Sequence, residues 1–218
     1  MSSVPVIRVG PFDNLRQEGI AKAADVLLAG GVVAFPTESF YGLAVDATNE
    51  KAITRLFSTK KRPADLPVLI LIPSSEVLKK HVAHLPEIAH RLTKSFWPGG
   101  LTMIFESDPE ISTLLTAKTG KIGIRYSSHP VATALSQATG APISGTSANI
   151  SGKPACKNIE EILNSFKEGI NLIIDGGESP GNTGSTILDV TQIPPRILRE
   201  GIITKEQLNK IDQTISFS

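Results

Sequence analysis

The chain has 218 residues, 40% of them apolar and 20% charged, a composition typical of one soluble domain that buries a sizeable core. Its net charge of +1 excludes a global electrostatic attraction to nucleic acid, so any affinity for phosphate must come from local clusters of charge. Its single cysteine, Cys156, excludes an internal disulfide framework, and no apolar stretch approaches the roughly 20 residues that span a bilayer, so we expect a cytoplasmic protein without membrane contact.

The first half of the chain predicts buried strands that alternate with helices. Asp13 is typical of a helix N-cap, and the helix that it begins is expected to end at Gly30. Asn49 is expected to cap a second helix, whose last turn carries Lys60 and Lys61, where cations suit the helix dipole. Apolar patterning predicts further strands and helices, with the strands at residues 4–9, 32–35, 67–72 and 101–105 and the helices at residues 74–82 and 86–96.

The second half departs from strict alternation. Helices are predicted at residues 129–139 and 158–167 and after the capping box that begins at Thr204. Residues 111–119 are ambiguous, and residues 145–152 are predicted to form a loop rich in small polar side chains. The strands of this half are predicted at residues 121–127, 142–144, 172–175, 185–190 and 196–199.

The late succession of two strands favours a mixed α/β (α+β) fold, with a twisted mixed β-sheet and helices on its faces, over a purely doubly wound sheet. No repeat or linker divides the chain, so we predict one domain over residues 1–218. Within it, residues 176–184 are expected to be mobile because they are rich in Gly, Pro, Asn and Ser. The tail at residues 212–218 is expected to fray.

The motifs that usually announce nucleotide or metal chemistry are absent from the sequence. It has neither a phosphate-binding loop of the Walker type nor a dinucleotide-binding glycine motif. No closely spaced cysteines or histidines suggest zinc, and His81 and His84 are expected to be ordinary surface residues near a helix end. We therefore expect no metal ion held by protein side chains alone.

Polar side chains instead cluster at or near predicted strand ends, where ligand sites of such sheets gather. Several of these clusters have an ordinary alternative: residues 37–39 as turn formers, residues 60–62 as a solvated helix end and residues 147–151 as a loop. Arg125 is harder to explain this way, because an arginine within an apolar strand must be paired or face a polar cleft. The candidate residues are Thr37, Ser39, Lys60, Arg62, Arg125, Ser147, Asn149, Ser185, Thr186 and Arg199.

The chemistry that such a set supports is narrow. Lysines and arginines without a catalytic histidine or cysteine suit the binding and neutralisation of phosphate rather than covalent attack. Hydroxyl and amide groups position small polar ligands. The combination is typical of phosphoryl or nucleotidyl transfer, in which Mg²⁺ is carried by the nucleotide.

These clusters also resemble, in order along the chain, the motifs of the YrdC/TsaC family. The resemblance runs from about residue 8 to residue 208 and is specific because the motifs occur together with family-like spacing. Its motifs lie at residues 35–43 (FPTESFYGL), 60–63 (KKRP), 97–102 (WPGGLT), 122–125 (IGIR) with 129–130 (HP), 147–152 (SANISG), 175–177 (DGG), 184–186 (GST) and 199–201 (REG).

The resemblance implies a YrdC-like fold with a concave ligand cleft and the activity of an L-threonylcarbamoyladenylate synthase, a nucleotidyltransferase. Such an enzyme makes threonylcarbamoyl-AMP and pyrophosphate from threonine, bicarbonate and ATP, with Mg²⁺ carried on ATP. The product serves threonylcarbamoyladenosine modification of tRNA through downstream transferase machinery. The chain ends without the extra C-terminal domain of longer members, so the single-domain form is expected.

The resemblance also assigns roles to individual residues. It places threonine on Thr37, Ser39, Arg125 and Ser185, with Arg125 on the threonine carboxylate. It places ATP on the remaining candidates and makes Lys60 and Arg62 catalytic; the ATP set is Lys60, Arg62, Ser147, Asn149, Thr186 and Arg199. The sequence departs from the family pattern at Ser39, Leu71, Ala155 and Glu200.

Two alternatives to the synthase stay open. One is a protein of the same fold that binds tRNA or double-stranded RNA, although a net charge of +1 gives this alternative little support. The other is a paralogue without synthase activity, which the presence of Lys60, Arg62 and the Ser-Ala-Asn run at residues 147–149 disfavours.

Overall fold

The computed structural model describes residues 4–9, 14–181 and 183–217, and its strands form two mixed sheets. The predicted mixed α/β class is confirmed, with the strands divided between two sheets rather than gathered in one. The first sheet has the spatial order β1 (Val6–Arg8), β9 (Leu172–Asp175), β2 (Val33–Phe35), β3 (Gly42–Ala44) and β8 (Thr146–Ser147). The second has the order β12 (Ser216–Phe217), β11 (Arg196–Arg199), β10 (Thr186–Asp189), β5 (Leu101–Glu106), β6 (Lys121–Arg125), β4 (Ile70–Leu71) and β7 (Ile143–Ser144).

Several helices begin at the caps that the sequence indicates. Asn49 accepts hydrogen bonds from the backbone N–H groups of Lys51 and Ala52, and Thr204 forms the predicted capping box with Gln207. The expected cap at Asp13 lies outside the described residues. The helices are α1 (Asn14–Leu28), α2 (Glu50–Lys60), α3 (Glu87–Phe96), α4 (Thr113–Thr116), α5 (Pro130–Thr139), α6 (Ile159–Ser165) and α7 (Lys205–Asn209). Within the described part of the chain, no helix is both long enough and apolar enough to cross a bilayer.

Strand β2 shows how the core is organised on both sides of the first sheet. Val33 and Phe35 belong to one buried apolar cluster, which includes residues of α1 and α5, whereas Ala34 belongs to a second, larger cluster. Successive side chains of a strand point to opposite faces, so a strand that is apolar at every position is buried on both. The short apolar run at residues 32–35 was therefore correctly predicted to be a buried strand.

Several elements are shorter than predicted, or form where none was predicted. The expected helix at residues 74–82 is a 3₁₀ helix, Ser75–Lys80, and the expected strand at residues 67–72 is reduced to Ile70–Leu71. Strand β3 forms where no strand was predicted, and it pairs with β8, which lies within the predicted loop of residues 145–152. The prediction that the tail frays is wrong, because Ile215 is buried and β12 pairs in parallel with β11.

Residues 176–184 connect the two sheets, because they follow β9 of the first and precede β10 of the second. This connection is tied to neighbouring segments by backbone hydrogen bonds: the N–H of Ser179 donates to the carbonyl of Lys157 at 2.8 Å, and the N–H of Gly181 donates to the carbonyl of Ser39 at 2.7 Å. The Tyr41 hydroxyl also donates to the carbonyl of Gly177 at 2.7 Å. The described residues of the segment predicted to be mobile are therefore anchored at several points.

Candidate functional site

A cleft of about 730 Å³ gathers residues from both sheets. Its lining includes parts of the β2–β3 turn, the loop after α2, the cleft-facing sides of β5, β6 and β10, the β8 loop and the end of β11. Candidate residues far apart in the sequence therefore share one cavity. Those that line it are Thr37, Ser39, Arg62, Arg125, Ser147, Ser185 and Arg199.

Lys60, Asn149 and Thr186 are absent from that lining and lie behind it. The Lys60 ammonium donates to the carbonyl of Ser147, to the carbonyl of Asn149 at 2.9 Å and to the Asn149 side-chain oxygen at 3.2 Å. The Asn149 amide nitrogen donates to the carbonyls of Ile150 and Lys153. Both side chains are thus occupied in fixing the backbone of the loop that carries Ser147.

Burial dominates the electrostatics of Lys60, which is 1% exposed although it is the last residue of α2. Lys60 follows Ala52 and Leu56 at four-residue spacing on the buried face of α2, and Lys61, with φ 48°, ends the helix in the left-handed region. Burial, assisted by the nearby charge of Arg62, lowers the pKa of Lys60 to about 7. The site therefore holds an ammonium group whose charge depends on pH near neutrality.

Arg125 lies at the end of β6 and is paired with Glu38 of the β2–β3 turn. The Nη2 of Arg125 lies 2.5 Å from Oε1 of Glu38, and the Ser127 hydroxyl donates to Oε2 of Glu38 at 2.6 Å. Burial by itself would raise the pKa of Glu38, but the charge of Arg125 and the hydrogen bond from Ser127 hold that pKa below its ordinary value. The expectation that an arginine in an apolar strand must be paired or face a polar cleft is confirmed on both counts.

Thr37 and Ser39 form the turn beside this ion pair. The Thr37 hydroxyl donates to the carbonyl of Phe40 at 2.6 Å and accepts from the N–H of Ser39 at 3.2 Å. This is the turn-forming arrangement that the sequence left as an alternative. Both residues also line the cleft, so turn formation does not exclude the predicted role in the site.

Arg62 and Arg199 are held by backbone carbonyls. Arg62 donates to the carbonyls of Leu66 and Pro67, the latter at 2.7 Å, and Arg199 donates to the carbonyl of Ser185 at 2.8 Å. Burial lowers the pKa of both arginines, and the charge of Arg125 adds to the lowering at Arg199. Since an arginine nevertheless stays protonated, each presents a positive charge to the cleft.

Thr186 fixes the turn after β11. Its buried hydroxyl donates to the carbonyl of Ile203 and accepts from the N–H groups of Gly201 at 2.9 Å and Ile203 at 3.0 Å. All of these partners are backbone groups. Thr186 therefore shapes the wall that carries Arg199 rather than the inner surface of the cleft.

Sequence reasoning assigned no role to several polar residues of this region. Thr102 lines the cleft and shares a hydrogen bond of 2.9 Å with Ser185, and the ion pair of Lys121 with Asp189 lines the cleft farther along β6 and β10. The sequence indicates Glu38 only as part of the turn. Strand alternation could have indicated Lys121, since Lys121 and Arg125 are four residues apart on one strand and so face the same side.

The described residues contain no group of three or more histidine, cysteine, aspartate or glutamate side chains that could hold a metal ion. The four departures from the family pattern, Ser39, Leu71, Ala155 and Glu200, all line the cleft. These departures therefore lie where they alter the surface presented to a ligand.

Comparison with known proteins identifies the family to which this architecture belongs. The family model Sua5_yciO_yrdC, described as "Telomere recombination", matches residues 25–201. The chain belongs to this family. The resemblance recognised in the motifs is thus confirmed, and the Sua5/YciO/YrdC match covers every candidate residue of the cleft.

Curated relatives within the Sua5/YciO/YrdC family carry a common name. The chain is 37% identical over 199 residues to a threonylcarbamoyl-AMP synthase of Pyrococcus abyssi, covering 91% of this chain and 58% of that protein. It is 39% identical over 193 residues to a protein of the same name from Bacillus subtilis, covering 88% of this chain and 56% of that protein. The chain thus spans little more than half the length of these two relatives.

The fold also matches a solved member of the family. The crystal structure of P. abyssi Sua5 complexed with L-threonine superposes with a TM-score of 0.92 at 35% sequence identity, covering 100% of this chain and 63% of that chain. The predicted YrdC-like fold is therefore confirmed.

Proposed function

We propose that this protein is an L-threonylcarbamoyladenylate synthase, a nucleotidyltransferase that makes threonylcarbamoyl-AMP and pyrophosphate from threonine, bicarbonate and ATP. One observation carries the proposal. A single cleft holds an ion-paired arginine, Arg125, together with two arginines, Arg62 and Arg199, whose partners among the described residues are all uncharged groups. A reaction between an amino acid and a polyphosphate needs an arginine whose charge is balanced beside arginines whose charge is not. The relatives named threonylcarbamoyl-AMP synthase and the threonine complex of a family member support the same activity.

The amino acid occupies the Arg125 end in this mechanism. The Arg125 guanidinium binds the threonine carboxylate, and the hydroxyls of Thr37, Ser39 and Ser185 position the rest of the molecule. The threonine amine, once deprotonated, combines with bicarbonate to form a carbamate with loss of water. Threonine held in this way directs its new carbamate group into the cleft.

The nucleotide occupies the opposite side. Arg62 and Arg199 bind the phosphates, and Lys60 and Asn149 hold the loop that brings Ser147 to them, while Thr186 fixes the wall behind Arg199. A carbamate oxygen attacks the α-phosphorus of ATP, the bond to the β-phosphate oxygen breaks, and pyrophosphate leaves with that electron pair. Lys60 and Arg62 stabilise the charge that accumulates on the phosphates, and no nucleophile of the chain is required.

The remaining reactants and partners form part of the same proposal. Mg²⁺ enters as the counter-ion of ATP, since phosphate oxygens and water are its preferred ligands. The product would serve threonylcarbamoyladenosine formation on tRNA through a separate transferase. Direct binding of tRNA or double-stranded RNA is the competing function.

The test is pyrophosphate release from ATP in the presence of bicarbonate, measured with and without threonine. The proposal expects release that requires threonine, with a product of the mass of threonylcarbamoyl-AMP. Release that is independent of threonine, or no release, would overturn it. RNA binding that is sensitive to salt and survives both Lys60→Ala and Arg62→Ala would favour the binding protein instead.

A further inference from the structure

Glu38 has no role in the mechanism above, yet it is firmly held beside the cleft. One carboxylate oxygen lies 2.5 Å from Nη2 of Arg125, and the other accepts the hydrogen bond from Ser127. The Ser127 hydroxyl also accepts a hydrogen bond from the backbone N–H of His129 at 3.1 Å, which ties it to the start of α5. Arg125 lines the cleft, whereas Glu38 lies behind it. The carboxylate is therefore fixed as a permanent neighbour of the arginine.

The pairing is charge compensation more than a directed hydrogen bond. The Nε and Nη2 atoms of Arg125 and the Oε1 atom of Glu38 are fully enclosed, and none of them makes a hydrogen bond of good geometry. The side chains of Arg125 and Glu38 are only 7% and 17% exposed. At such burial water screens the two charges weakly, so each strongly affects the potential that a ligand meets.

The other two arginines of the cleft are not compensated in this way. Among the described residues, no carboxylate lies within ion-pair distance of Arg62 or Arg199, whose partners are carbonyl and hydroxyl oxygens. Of the three arginines that line the cleft, one is thus in a neutral pair and two are unpaired, while the carboxylate of Glu200, which is exposed to solvent, also lines the cleft next to Arg199. A neutral pair attracts a molecule that carries both charges, while a net positive surface attracts an anion.

We propose that Glu38 makes the Arg125 end of the cleft selective for a zwitterionic amino acid and keeps simple anions, including the phosphates of ATP, away from it. An anion at Arg125 adds a second negative charge beside Glu38, and the two repel. A zwitterion brings an ammonium group that offsets this repulsion. The inference rests on the proposed function, because it takes the amino acid to bind at Arg125.

The experiment compares threonine with 2,3-dihydroxybutanoate, which has the same skeleton but a hydroxyl in place of the ammonium group. Isothermal titration gives the dissociation constant of each ligand for the wild-type chain and for Glu38→Gln, which keeps the size of the side chain and removes its charge. We expect the wild type to prefer threonine by at least tenfold, and Glu38→Gln to reduce that preference by at least tenfold. Asp212→Asn is the matched control, since Asp212 pairs with Arg91 outside the cleft lining and is 21% exposed.

Each outcome is decisive. If the wild type fails to bind threonine, the proposed function and this inference fall together. If it binds threonine but Glu38→Gln keeps the wild-type preference, only the role of Glu38 is overturned. Should Glu38→Gln fail to fold, the fallback variant is Glu38→Asp, which retains the charge. Both Glu38→Asp and the wild type must then bind threonine more tightly than the hydroxy acid. A preference for the hydroxy acid in either protein would refute the inference.

Discussion

The two ends of the cleft hold their cations in opposite ways. Arg125 faces a carboxylate, Glu38, whereas Arg62, Arg199 and Lys60 face backbone carbonyls and other uncharged oxygens. Carbonyl groups satisfy N–H donors of Arg62, Arg199 and Lys60 without cancelling their charge, whereas Glu38 compensates the charge of Arg125 without a hydrogen bond of good geometry. The difference teaches that hydrogen-bond satisfaction and charge compensation are separate properties of a binding site. Charge compensation is found at the end where the amino acid is expected, and hydrogen-bond satisfaction without compensation at the end where ATP is expected.

The largest effect should come from removing the paired arginine. Arg125→Ala is expected to weaken threonine binding by about 100-fold and ATP binding by about twofold or less, because truncation removes the partner of the ligand carboxylate. It should also lower the free energy of unfolding by about 3 kcal/mol, since Glu38 is left as a buried, unpaired charge. Titration with each ligand and urea unfolding measure the two effects.

A double variant separates these causes. In Glu38→Ala/Arg125→Ala the unpaired charge is gone, so much of the stability should return while threonine binding stays lost. If Arg125→Ala weakens threonine and ATP equally, the assignment of this end of the cleft to the amino acid is wrong.

The next largest effect should fall on the uncompensated end. Lys60→Ala removes the donor that holds the carbonyls of Ser147 and Asn149, and we expect it to raise the KM for ATP by about tenfold with little change for threonine. Lys60→Met, which restores most of the buried volume without the charge, is the matched variant for packing. Recovery of ATP binding in Lys60→Met would show that packing, not the ammonium group, is what ATP binding requires.

Lys60 also makes stability depend on pH. Between its folded pKa of about 7 and its ordinary value of 10.5, the unfolded chain binds the lysine proton more often than the folded protein does. The free energy of unfolding should therefore rise with pH across this window, by at most about 1.4 kcal/mol per pH unit. This gain in stability is lost again as the pH falls through the same window. Urea unfolding at several pH values in this range should give a steeper rise for the wild type than for Lys60→Met, and equal slopes would contradict the lowered pKa.

The smallest effect concerns Glu200, which brings a negative charge to the cleft lining next to Arg199. Its side chain accepts a hydrogen bond from the N–H of Lys205 at 3.2 Å and is exposed, so water screens its charge. Glu200→Gln should tighten ATP binding about twofold at low salt and leave threonine binding unchanged. A gain that persists at high salt would argue against an electrostatic cause.

The local features of the fold were predictable because their signals are local. The caps at Asn49 and Thr204 and the buried strand at residues 32–35 follow from short-range hydrogen bonding and from apolar patterning. Strands β8 and β12 were missed because neither lies in a run of apolar residues, unlike the equally short strand β4. The division into two sheets depends on the pairing of strands distant in sequence, which patterning does not reveal.

The site was predictable to a similar degree. An arginine within an apolar strand required a partner or a polar cleft, and Arg125 has both. Its partner, Glu38, was not identifiable, because it lies on the other sheet's turn and reaches β6 only through the tertiary fold. The carbonyl acceptors of Lys60 were not identifiable for the same reason, since they belong to the end of β8 and the loop after it. The individual ligand contacts of the candidate residues stay predictions.

The hydroxyl of Thr186 contacts three backbone groups of the turn that follows Arg199, and it does not line the cleft. Alanine scanning of the cleft therefore also detects residues, such as Thr186, that only support its wall. If the cleft binds ATP as proposed, substitution of Thr186 by alanine is expected to release the turn, displace Arg199 and reduce nucleotide affinity, so a screen would score Thr186 as a contact residue. Serine keeps the hydroxyl and valine keeps only the shape, so loss of the hydroxyl in Thr186→Val should lower both the free energy of unfolding and nucleotide affinity if Thr186 is a scaffold residue, and nucleotide affinity alone if it contacts the ligand.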